Sequence, residues 1–231
     1  MRLILIALAV SYPLLAHLAV LTGSPRLIVV SLAVLVALAL APALGRRRIL
    51  AWVAALLVAG AVAAALIAAQ GWPWLPLYAP SLLGDVFLAW LFGHTLARGH
   101  VPLIERMVRV LRARETLDPA VFSYARSLTA VWAGLFTVLG LANLLLALCA
   151  TPNGILSLLG WVPSVTVPQR AWSWFANIGE YLIVAAFFAA EFLYRQRRFP
   201  QEEHAGLLQF LRRLGAVAPQ MLARGTPRAR P

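Results

Sequence analysis

Lysine is absent from this chain, and all 20 of its basic side chains are arginine. Acidic residues are scarcer still, at eight, so charged residues make up 12% of the chain against 62% hydrophobic. Soluble domains carry roughly a quarter charged residues, and this composition excludes an ordinary water-soluble fold. One cysteine, Cys149, lies in an apolar run, which excludes a disulfide framework and a cysteine-rich metal centre. No His-Glu-x-x-His, glycine-rich phosphate loop, nucleophile elbow or usefully spaced cysteine–histidine pair is present. The sequence therefore assigns no catalytic residue, no metal and no cofactor. A net charge of +12 invites nucleic acid as a partner. The arginines flank apolar segments instead of forming one basic face, so no nucleic-acid partner is expected.

What is present is a succession of long apolar blocks. They predict an all-α, polytopic membrane bundle of about six transmembrane helices with short amphipathic surface helices. The opening MRLILIALAVSYPLLAHLAVL has the basic start and apolar run of a signal peptide. It is read as a retained first helix, kinked at Pro13, because further spans follow and the site near Ala16 to Ala19 is poor. The second span is expected at about Leu27–Leu44 and the third at about Ile49–Ala69. Ala51, Ala55, Ala59 and Ala63 form a stripe in the third that suits close helix packing or simply reflects abundant alanine. The segment Gln70–Pro80 holds three prolines with Trp72, Trp74 and Tyr78, which suits an interfacial anchor or a short re-entrant piece. The fourth span is expected at about Ser81–Ala97, the fifth from about Ser127 or Ala120 to Cys149, and the sixth at about Ala171–Tyr194.

Two amphipathic segments complete the plan. Pro102 opens a helix on which Ile104, Met107, Val108 and Leu111 share one face and Glu105, Arg106, Arg109 and Arg112 the other. Beyond Pro200, Leu207, Phe210, Leu211 and Leu214 form the apolar side of a tail helix. The expected organisation is a transmembrane bundle over 1–198, including a cytoplasmic amphipathic loop at about 98–120, and a cytoplasmic amphipathic tail over 199–231. With the N-terminus inside, every arginine except Arg26 and Arg170 falls on the inner side. That bias predicts that both termini are cytoplasmic. Such an inner face attracts anionic phospholipid.

Polar side chains inside hydrocarbon are expensive and mark candidate sites. By depth they fall into two sets. Asp85, Asn143, Asn177 and Glu180 form a candidate intramembrane polar site towards the outer side. His94, Arg98, Tyr124, Arg126, Glu191 and Arg195 form a candidate anion or headgroup site at the inner face. Glu180 and Glu191 are eleven residues apart, about 20° past three full turns, and share a helix face. Glu180 is either a proton or substrate site or a carboxyl hydrogen-bonded for packing. Glu191 is either an ion-pair partner of a nearby arginine or part of a site that grips a phosphate or carboxylate. Asp85 also suits the first turn of its helix. His94 is a relay or a hydrogen-bonded packing residue, and His17 is read as packing.

Three stretches resemble a known family: FGHTLARGHVPLIERMVR (Phe92–Arg109), the segment from Tyr124 and Arg126 to Trp132, and FANIGEYLIVAAFFAAEFLYRQRRFPQEEHAGLLQFLRR (Phe175–Arg213). They are similar to small bacterial inner-membrane proteins encoded beside aryl-polyene and xanthomonadin-type pigment pathways. The matching positions are Phe92, Gly93, Thr95, Leu96, Gly99, Pro102, Leu103, Ile104, Arg109, Tyr124, Arg126, Glu191, Tyr194, Arg197, Arg198, Phe199, Pro200 and His204. That family usually has arginine where this chain has His94, which favours a cationic role there over a proton relay. The resemblance carries over no catalytic residues. It implies a membrane component, favoured as non-enzymatic, that assists synthesis or export of a lipid-linked acyl or polyene product, as a transporter for example. Two alternatives stand beside it: a membrane acyl or glycosyl transferase, and a scaffold that docks soluble biosynthetic enzymes. The implied partners are an anionic phospholipid or lipid-linked carboxylate, and a second copy of the chain or a biosynthetic enzyme.

Overall fold

The computed structural model describes residues 2–40, 74–111 and 119–199. The expected third span, the arginine triplet at 46–48 and the tail helix lie outside them. The described residues are mostly helical. Among the described residues, three helical segments are long and apolar enough to cross a membrane: Pro76–Leu96, Pro119–Cys149 and Gln169–Arg198. The apolar stretches Ile6–Thr22 and Pro25–Leu38 are shorter. By internal packing the chain forms two units, one drawing on residues up to Gly84 and on Leu139–Leu182, the other on Asp85–Val138 and residues from Ile183 onward.

In the first unit, helices α1 (Arg2–Thr22) and α2 (Pro25–Leu40) form a hairpin. Local chemistry sets its turn. Gly23 takes φ +67°, and the Ser24 amide donates back to the Ala19 carbonyl at 3.3 Å, closing α1 with a Schellman turn. Pro25 then opens α2, where a missing N–H costs nothing. The Ser24 carbonyl accepts the amides of Leu27 and Ile28 at 3.2 and 3.4 Å. Ala16 and Ala19 are fully buried with Ile28, so the hairpin packs through small side chains, as helices in lipid commonly do.

Helix α3 (Leu75–Gly93) begins earlier than the expected Ser81. Pro76 sits in the first turn, where amides have no intrahelical acceptor. Pro80 lies inside the helix, and the burial of Leu77 and Tyr78 in the unit's core holds that turn against the proline's lost hydrogen bond. Tyr78, expected as a headgroup anchor, is 2% exposed. Its ring lies 4.1 Å from that of Trp172, centroid to centroid, and its hydroxyl donates to the Asn153 carbonyl at 3.0 Å. Ala147, Ala150 and Ala176 belong to the same core.

In the second unit, α3 ends at Gly93 and a 3-10 turn follows at His94–Leu96, inside the expected fourth span. Helix α4 (Leu103–Leu111) is the helix expected after Pro102, and α5 (Pro119–Cys149) starts at the earlier of the two expected points. Trp132 on α5 centres an aromatic cluster with Phe92, Phe136, Phe187 and Phe188, the Phe187 ring meeting it edge-on at 4.7 Å. Two buried threonines cap α4 from outside. The Leu103 amide donates to Thr95 Oγ1 at 3.1 Å and the Ile104 amide to Thr129 Oγ1 at 3.3 Å. Each hydroxyl spends its proton on a carbonyl of its own segment, Phe92 at 2.8 Å and Ala125 at 2.7 Å. Thr129→Val keeps the shape and removes the acceptor. It is expected to destabilise the fold by about 1–3 kcal/mol, because the partly buried Ile104 amide loses its partner. A thermal melt in detergent checks this. Thr137→Val, which removes only a bond from an exposed hydroxyl to its own helix, should melt like the parent.

Between α5 and the last helix the chain makes a two-residue parallel pair, β1 (Ala150–Thr151) with β2 (Val167–Pro168), around the short α6 (Ile155–Leu158). The all-α expectation did not contain this pair. The last helix is continuous over Gln169–Arg198: α7 (Gln169–Trp174), one π-helical turn at Phe175–Gly179, and α8 (Glu180–Arg198). It extends beyond both ends of the expected sixth span.

Candidate functional site

The π-helical turn organises the polar residues of the first unit. One extra residue widens the helix there, and such turns often occur at functional positions. Gly179 permits it. A Cβ at Gly179 would lie 3.0 Å from Cζ3 of Trp174, whose ring packs against the turn. Ser173, Asn177 and Glu180, in and beside the widened turn, are buried, while Trp174 and Tyr181 are exposed. Asn177 donates through Nδ2 to the Ser173 carbonyl at 3.0 Å and to Ser173 Oγ at 3.2 Å. Ser173 Oγ also shares a 3.0 Å hydrogen bond with Nδ1 of His17, carried on α1. Glu180, the first residue of α8, is buried, and its carboxyl enters this apolar helix immediately after the wide turn. Asn143 on α5 is fully buried and accepts a 2.8 Å hydrogen bond from Trp172 Nε1.

Of the four residues expected at the outer polar site, the first unit therefore holds Asn143, Asn177 and Glu180, all buried. Asp85 is also buried, and it belongs to the second unit. The sequence reading omits Trp172 and Ser173 and treats His17 as packing alone. Ser173 and Asn177 stand four apart on one helix, which is a readable signal. The His17–Ser173 contact joins residues 156 positions apart, and no local pattern announces it.

The second unit places the inner-face candidates in three groups. Tyr124 donates its hydroxyl to Glu191 Oε1 at 3.1 Å, and Arg195, one turn on, brings Nε within 3.3 Å of the same oxygen. Glu191 is thus held between a phenol and a guanidinium. Its side chain is 7% exposed, and that of Arg195 is 27% exposed. The Tyr124 ring is flanked by Tyr194, stacked at 6.0 Å, and Phe199, edge-on at 5.5 Å. Arg126 donates to the Leu96 carbonyl at 3.2 Å and so ties α5 to the end of the 3-10 turn, while Arg98 is exposed just beyond it. His94 stands apart from the Tyr124–Glu191–Arg195 group in its bonding. Its ring stacks on Trp90 at 4.4 Å and its Nδ1 lies 2.8 Å from the Trp90 carbonyl.

Among the described residues no three His, Cys, Asp or Glu side chains gather as a metal site would require. No family model, no characterised protein and no solved structure matches this chain.

Proposed function

We propose that the chain is a six-span protein of the bacterial inner membrane, with both termini cytoplasmic, that assists the synthesis or export of a lipid-linked acyl or polyene product. The observation that carries this reading is the buried carboxyl of Glu180, set beside a π-helical turn in a helix long and apolar enough to span a bilayer. An ionisable group at that depth is costly and is usually kept for a substrate or proton pathway. In this role Glu180 is the intramembrane acidic site, supported by Asn177, Ser173 and His17. The arginines of the inner face recruit the anionic lipid or lipid-linked carboxylate. A second copy of the chain would complete a transport unit of useful size.

The Tyr124–Glu191–Arg195 group favours one alternative, a transferase acting at the cytoplasmic face. Lipids and pigment extracted from separated inner and outer membranes of cells lacking the gene distinguish the two. A lipid-linked intermediate trapped in the inner membrane supports transport. Loss of the lipid-linked species with accumulation of free acid supports the transferase. Unchanged lipids in both membranes would overturn both.

A further inference from the structure

The segment joining α5 to α7 contains no charged residue from Cys149 to Gln169. It nevertheless turns four apolar side chains outward. Leu159 is 61% exposed, Trp161 71%, Val162 89% and Val165 69%. The base is firmly held. The β1–β2 pair closes it, Asn153 Nδ2 donates to Gln169 Oε1 at 2.9 Å, and the Asn153 carbonyl accepts the Tyr78 hydroxyl. The tip also satisfies much of its own backbone. Gly160, at φ +80°, closes α6 with a second Schellman turn, in which the Gly160 amide donates to Ser157 at 3.1 Å and the Trp161 amide to Leu156 at 2.9 Å. A loop that bonds its amides internally as far as Trp161, carries no charge and displays tryptophan with aliphatic side chains is suited to an environment poor in water.

Its place in the chain selects the occupant. It connects the ends of two helices that are both long and apolar enough to cross a membrane, Pro119–Cys149 and Gln169–Arg198. It therefore emerges where those helices leave the hydrocarbon. A protein partner would ordinarily meet a polar rim around an apolar centre, and this loop offers no charged rim. We infer that the tip Leu159–Val165 is a lipid-binding foot, seated in the headgroup–acyl boundary of the leaflet in which α5 and α7 end. Trp161 supplies the interfacial ring, and Val162 and Val165 enter the acyl layer. The inference rests on the membrane-spanning reading of α5 and the last helix. Its consequence is that Ser173 and Asn177, within the first turns after the foot, are held at a fixed depth below the lipid surface.

Nitroxide labels at Val162→Cys and, separately, at Leu145→Cys, both in a Cys149→Ala background, test this in phosphatidylcholine–phosphatidylglycerol vesicles. Leu145 lies on α5 and is 62% exposed, so it reports on the span itself. Collision with oxygen and with a water-soluble nickel chelate is measured at each site. The expected result is preferential oxygen access at both. Oxygen access at Leu145 with nickel access at Val162 would overturn the foot while leaving the span intact. Nickel access at both would overturn the span as well. Shielding of Val162 from both reagents would mean that protein covers the loop, and would also overturn the proposal. A label-free measurement guards against damage by the substitutions. Lipid brominated near the headgroup end of its acyl chains should quench the wild-type fluorescence more than that of Trp161→Phe, and equal quenching would count against the foot.

Discussion

Trp172→Ala will unfold the first unit at markedly lower temperature, at a cost of about 3–5 kcal/mol, the range for removing a buried large aromatic. Trp172 is 1% exposed, and it performs two tasks that no neighbour can take over. Its ring packs on Tyr78, which fixes the first turn of α3 despite Pro80. Its Nε1 is the donor to the buried Asn143 carbonyl oxygen. The two tasks can be separated. Trp172→Phe keeps most of the ring contact and leaves Asn143 without that donor, so it should cost about 1–3 kcal/mol. Melting of the purified variants in one detergent gives the order wild type, Trp172→Phe, Trp172→Ala. An alanine variant as stable as the phenylalanine variant would show that ring packing contributes little.

Glu191→Ala carries the second large effect. It removes the acceptor of the Tyr124 hydroxyl and the carboxylate facing Arg195 in a single step. Hydrogen bonds to a charged group contribute about 1.5–3 kcal/mol. The partial exposure of Arg195 lets its guanidinium recover some hydration, so the lower half of that range is expected. Tyr124→Phe should cost less, and the double variant should cost less than the sum of the singles, because both singles break the same bond. Additive losses would mean that Tyr124 and Glu191 act independently. The same variants bear on function. If the chain is a transferase with its site at the cytoplasmic face, Glu191→Gln abolishes the lipid-linked product. If it acts through the intramembrane carboxyl, Glu191→Gln is active once its stability is allowed for.

Much of the architecture is legible because membrane helices declare themselves by composition. Apolar length alone marks α5 and the last helix. Gly23, Ser24 and Pro25 mark a turn through backbone chemistry that needs no tertiary partner. The amphipathic α4 follows Pro102 as its periodicity suggests. Other features depend on packing across the chain. Prolines near the start of α3 read as an interruption, yet Tyr78 finds a tertiary site against Trp172 and the helix persists through Pro80. The threonine caps of α4 come from Thr95 and Thr129, the latter 25 residues away from the amide it accepts, so no local cap signal exists. The candidate sites divide in the same way. Burial of Glu180, Asn177 and Asn143 follows from their being polar residues in apolar helices. The pairing of Glu191 with Arg195 follows from four-residue spacing. The His17–Ser173 bond does not follow from either rule, because it joins α1 to the last helix across 156 positions, and the π-helical turn carries no spacing signal of its own.

In the proposed role, the acidity of Glu180, and not merely its volume, serves the movement of a lipid-linked product. Glutamine preserves the size and much of the hydrogen bonding of glutamate but cannot exchange a proton with a substrate. The decisive measurement is mass spectrometry of lipids from separated inner and outer membranes of cells whose only copy carries Glu180→Gln, with the variant present at wild-type abundance. The expected result is the same trapped inner-membrane intermediate as in cells lacking the gene. Wild-type lipids in both membranes would contradict it and leave Glu180 as a packing residue.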